Sequence, residues 1–127
     1  LTLQVNFFST HANETLKDAP SKGVRAGGMA EYRIIIPCSG QGPLRFEVKR
    51  SEDGITFHSL FESDRIAFAS FLELAIPFEK MGWKPHHQFN FILEVLDQGK
   101  AIEIYPPNGY IPFAVPDEDF ELRMWSV

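Results

Sequence analysis

Apolar and polar residues alternate with a period of two along most of this chain, the signature of strands that bury one face. In "LTLQVNF", Leu1, Leu3, Val5 and Phe7 share one side and Thr2, Gln4 and Asn6 the other. "LRFEVKR" sets Leu44, Phe46 and Val48 against Arg45, Glu47 and Lys49. After "SEDG", the run "ITFHSLF" returns with Ile55, Phe57, Ser59 and Phe61 in phase. Asp53-Gly54 between two alternating runs is a hairpin signal. "AEYRIIIP" is continuously apolar at its end, which predicts a strand covered on both faces. "FNFILEVLD" alternates Phe89, Phe91, Leu93 and Val95 against Asn90, Ile92, Glu94 and Leu96, then turns through "DQGK" into "AIEIY". Seven to nine short strands at such spacing predict an all-β fold, an antiparallel two-sheet β-sandwich of immunoglobulin-like or jelly-roll-like form. Phe46, Ile76, Phe89, Phe91 and Leu93 are expected to face inward.

Helix is confined to two short candidates, "NETLKDAP" and "PFEKMG". The second interrupts a strand. Pro77 cannot donate to a ladder, so pairing stops there. "FEKMG" then suffices for one helical turn, with Gly82 as its left-handed stop. Phe78 and Met81, three apart, fall on one side of that turn and are expected to plug the open end of the sandwich. The stretch from Ser9 to Gly28 has little periodicity and reads as a long connection.

The chain has 127 residues, 44% hydrophobic and 13% aromatic, which suffices for one core and predicts a single domain over residues 1–127. A net charge of −5 carries no basic footprint, so neither nucleic acid nor an anionic membrane is an expected partner. A single cysteine, Cys38, allows no internal disulfide; with no apolar span and no signal-like opening, this suggests a cytoplasmic protein. The opening "LTLQVNF" lies directly inside a strand pattern and suggests a domain cut from a longer polypeptide.

Three pieces of the second half resemble a known pattern. Phe71–Ile76 leads into "E-x-A-I-P-F" at Glu73–Phe78, before a short turn and a glycine. Glu103 precedes "YPPNGYI", a "P-x-x-G" bend. The tail from Val115 to Val127 is acidic and aromatic, with Trp125 near its end. Together they look like the C-terminal β-sandwich domain of glycoside hydrolase family 57, the α-amylase/α-mannosidase-like enzymes. The "AIPF" element is also similar to family 9 carbohydrate-binding modules and DOMON-like sandwiches. The resemblance implies an accessory domain of an α-glucan-active enzyme, partnered by the catalytic domain of the same polypeptide. The hydrolase carboxylates of that family sit in an upstream barrel, so none is carried over here.

The residues themselves point the same way. Glycoside hydrolysis needs two carboxyls across a cleft. Glu47, Glu73, Glu94 and Glu103 instead occupy polar strand phases, with Glu73 expected to pair with a residue such as Arg33. No catalytic residue is assigned. His86 and His87, if extended, point apart and do not chelate together, and His58 lies in a polar strand phase, so no metal is assigned. "PDEDFE" is an acidic run that reads as solvated, with calcium as the sharper alternative. No cofactor is expected; a DOMON-like ligand or haem sensor is the weaker alternative. "RAGGMAE" lacks the context of a phosphate cradle. A sugar reads planar aromatics and amides. Trp83 in "GWKPHHQ" is the candidate exposed platform, Tyr105 and Tyr110 flanking "PPNG" the candidate wall, and Gln88 the amide. The same patch serves docking or an α-glucan.

Overall fold

The computed structural model describes residues 1–9, 30–38, 43–68 and 71–117. Among the described residues, nine strands and one helical turn follow one another: β1 (Thr2–Ser9), β2 (Ala30–Pro37), β3 (Phe46–Ser51), β4 (Phe57–Ser63), β5 (Ile66–Phe68), β6 (Leu72–Leu74), α1 (Phe78–Met81), β7 (Gln88–Asp97), β8 (Lys100–Tyr105) and β9 (Ile111–Ala114). Seven strands form one sheet in the order β4-β3-β2-β1-β7-β8, with β9 also on β7, while β5 and β6 form a separate pair. All pairings are antiparallel. The fold is therefore all-β and sandwich-like, as the alternation predicts, with very unequal layers. No helix of the described residues is long and apolar enough to cross a membrane.

The core lies on one face of the large sheet, where Phe7, Tyr32, Ile34, Ile36, Phe46, Val48 and Phe89 are buried. The small hairpin and α1 cover it: Ile66, Leu72, Leu74, Ile76 and Phe78 pack onto this cluster. Of the expected inward residues, Phe46 and Phe89 are fully buried. Phe91 and Ile76 are half-buried against the core. Leu93 is half-buried on the same face, opposite Val5.

Bulges correct the expected phase in three places, at Leu60, Glu31 and, in β8, Ile102. Val48 faces Phe61 but Lys49 faces Ser59, so Leu60 is an extra residue in β4. That slip sends Phe61 to the main core and Phe57 to the opposite face, although simple alternation sets them together. Phe7 faces Tyr32 and Phe8 faces Ala30, skipping Glu31. Phe8, Ala30 and Ile92 consequently form a second buried cluster on the far face, joined by Phe57 and Tyr110. Ile92, expected on the polar side, is buried there, and Ile55 belongs to the turn, 82% exposed. On β2 the residues buried to the core alternate with Arg33 and Ile35, which are only half-covered on the other face.

The hairpin expected at Asp53-Gly54 joins β3 to β4. The Asp53 carboxylate accepts from the N–H groups of Ile55 and Thr56 and from the Ser51 hydroxyl, and these bonds depress its pKa from 3.8 to about 2. The candidate helix "NETLKDAP", the Ser9–Gly28 connection beyond Ser9, most of the "RAGGMAE" turn, and the tail from Glu118 with Trp125 lie outside the described residues.

Candidate functional site

The break at Pro77 builds the plug that its sequence implies. The Lys80 N–H donates to the Pro77 carbonyl, and Gly82, at φ 72°, ends the turn in the left-handed region. Met81 is buried, and its carbonyl accepts from the Tyr32 hydroxyl at 3.1 Å, tying the turn to the sheet beneath. Trp83 goes in with it. Its N–H donates to the Phe78 carbonyl, which folds the residue after the glycine back over the turn. The indole then lies 4.5 Å from Phe89, 5.1 Å from Phe7, 5.2 Å from Tyr32 and 5.8 Å from Phe78, measured between ring centroids.

Trp83 is 5% exposed. The expectation of an exposed platform is therefore corrected: the left-handed glycine reverses the chain and sends the following ring inward. Its Nε1 is buried with no hydrogen-bond partner among the described residues. This indole offers no face on which a pyranose could stack.

The other three candidates do not gather around it. Strands β8 and β9 lie end to end along β7, separated by Pro106–Tyr110, with a cis Tyr105–Pro106 bond. Tyr105 sits opposite Leu93 on the core side, 46% exposed, and its hydroxyl donates to Glu103 at 2.6 Å. That bond, reinforced by the carboxylate's charge, raises the phenol's pKa above its ordinary value. Tyr110 instead packs against Phe8 on the far face, with ring centroids 5.3 Å apart. The two tyrosines flank one bend from opposite sides of a sheet and form no common wall. Gln88 is exposed at the start of β7; alternation with Phe89 turns it away from Trp83.

The charged groups are organised for structure. Arg33 pairs not with Glu73 but, through Asn6, with Glu94. Its Nε donates to Asn6 Oδ1 at 2.7 Å, and Asn6 Nδ2 donates to Glu94 Oε1 at 2.6 Å. Burial pulls the Arg33 pKa down, and the Glu94 charge partly restores it. The guanidinium lies 3.9 Å above the Phe57 ring. This chain of bonds crosses β2, β1 and β7, and sequence reading missed it because it depends on register between residues 6, 33 and 94. Glu73 is exposed on β6. His86 Nε2 lies 3.6 Å from Asp117, the His87 ring 4.2 Å from that of Phe89, and His58 is exposed on β4. Among the described residues no three metal-ligating side chains converge.

What stands open is the small hairpin. Phe68, the last residue of β5, and Phe71, just before β6, are 72% and 77% exposed, whereas Ile66, Leu72 and Leu74 pack on the core. Two open hollows run along it, of about 370 and 460 Å³, sharing Arg65 and Ala75. The first is floored by Phe61, Ile76 and Pro77 and rimmed by Arg65 and Lys80. Sequence reading passed over these phenylalanines because "FASF" fits a strand pattern as well as a turn. Two phenylalanines within four residues are the signal that could have marked them.

No protein-family model, curated protein or solved structure matches this chain.

Proposed function

We propose that this domain is a non-catalytic accessory module, docking on the catalytic domain of a glycoside hydrolase family 57-like, α-glucan-active enzyme through its β5–β6 hairpin. The observation that carries the docking is the exposure of Phe68 and Phe71 on a hairpin anchored on the core. Large aromatic area left in water on an anchored hairpin is characteristic of a surface that another protein covers. The first of the hollows beside it, with an apolar floor and the cations of Arg65 and Lys80 at its rim, suits an apolar contact edged by carboxylates. The resemblance of Glu73–Phe78 and Glu103–Gly109 to the family 57 accessory domain supplies the partner. The same reading takes the parent enzyme to be cytoplasmic, in keeping with the lone Cys38 of the present chain. The burial of Trp83 weighs against the alternative of a glucan-binding module.

The test is made in the parent polypeptide. Phe68→Ser with Phe71→Ser should lower the unfolding temperature of the catalytic domain and leave the melting of this domain, expressed as the present chain, unchanged. A parent polypeptide without a hydrolase barrel, or one whose catalytic domain melts identically in the variant, would contradict the reading.

A further inference from the structure

Strand β8 takes no part in the hairpin surface and presents a different kind of contact. Among the described residues it is hydrogen-bonded to β7 on one side and ends the sheet order on the other, with a bulge at Ile102 that sets Lys100, Glu103 and Tyr105 on one face. All six of its residues are exposed, with Ile102 at 54%, Ile104 at 39% and Tyr105 at 46%. An edge of this kind offers a row of backbone donors and acceptors to another strand. We propose that β8 pairs antiparallel with β8 of a second copy of this chain, joining two seven-stranded sheets into one about a twofold axis.

Charge pattern selects the occupant. With the whole strand overlapped, Lys100 lies opposite Tyr105 of the second copy, whose phenol is already bonded to Glu103. The ammonium is then the diagonal neighbour of that carboxylate. Ala101 meets Ile104 on the other face. Shifting the overlap by two residues sets Lys100 directly opposite Glu103. Either register brings each lysine to a carboxylate, and symmetry makes the contact twice. The opposite edge has no such pattern: β4, "FHSLFES", holds Glu62 and no lysine or arginine. On β9, Pro112 has no N–H to give, which confines the pairing to β8. Six residues a side is a small interface, so the dimer is weak and depends on concentration.

Analytical ultracentrifugation of this chain from micromolar to millimolar concentration tests the pairing. A reversible monomer–dimer equilibrium is expected. Lys100→Glu should raise its dissociation constant about tenfold or more through repulsion with Glu103, and Glu103→Lys should do the same. The double exchange should restore association to within a few-fold of the original chain, which a loss of folding could not do. Phe68→Ser with Phe71→Ser should leave the dimer intact. A chain that stays monomeric throughout, a dimer indifferent to both reversals, a double exchange that stays dissociated, or a dimer lost with the hairpin phenylalanines would each overturn the proposal.

Discussion

The two halves of β7 have the same alternation and very different surroundings. Over Phe89–Phe91 the strand lies between β1 and β9 and beneath the plug; Phe89 is 1% exposed and touches the rings of Phe7, Tyr32 and Trp83. Over Leu93–Val95 it lies between β1 and β8, and both residues are half-buried. Alternation chooses the side on which a residue stands. What covers that side decides how much of it is withdrawn from water, and here the cover is α1 with the small hairpin.

The comparison can be broken most sharply at the covered end. Phe89→Ala should cost about 3–5 kcal/mol in chemical denaturation, the range for a large buried aromatic. Val95→Ala, beyond the cover, should cost about 1 kcal/mol, with Phe91→Ala between the two. Equal losses at residues 89 and 95 would mean that the cover contributes nothing.

Trp83 sharpens the same comparison from above. Trp83→Ala removes the ring that meets Phe7, Tyr32, Phe78 and Phe89, and should destabilise by about 3–5 kcal/mol. Trp83→Phe should lose less than half of that, because a phenyl keeps much of the contact and the indole N–H it deletes has no partner among the described residues. A neutral Trp83→Ala would return this side chain to the surface.

The smallest effect belongs to the hairpin turn at Asp53, far from the cover. Its pKa is lower in the folded chain, about 2, than its ordinary 3.8. Its contribution is therefore fully present above pH 4 and fades as pH falls toward 2. Asp53→Asn should flatten the acid limb of the stability profile in that window and leave the profile near neutrality almost parallel to that of the original chain. An unchanged acid limb would contradict the turn geometry.

The longer strands were legible because period-two patterning is local, whereas the short β5 and β9 carry too little of it. The plug was legible because Pro77 and Gly82 each impose a backbone conformation on their own. Facing was less legible. Bulges at Leu60 and Glu31 reverse the phase mid-strand, and nothing in "FHSLF" or "AEYR" announces an extra residue. The candidate site fared worst for a related reason. Trp83, Tyr105, Tyr110 and Gln88 are near one another in sequence or beside shared bends, but the sheet has two faces and the plug has an inside. Tyr105 and Tyr110 are parted by the sheet, and Trp83 by a glycine that turns inward. The Arg33–Asn6–Glu94 bonds join three strands whose order no single stretch encodes.

Trp83 lies in the core beneath the plug, 5% exposed and closed to a sugar. Fluorescence of a Trp125→Phe variant, which leaves Trp83 as the sole tryptophan, tests this placement most directly. The account predicts blue-shifted emission, poorly quenched by acrylamide and unaltered by titration with maltoheptaose. Red-shifted, readily quenched emission that changes saturably with the glucan would contradict it.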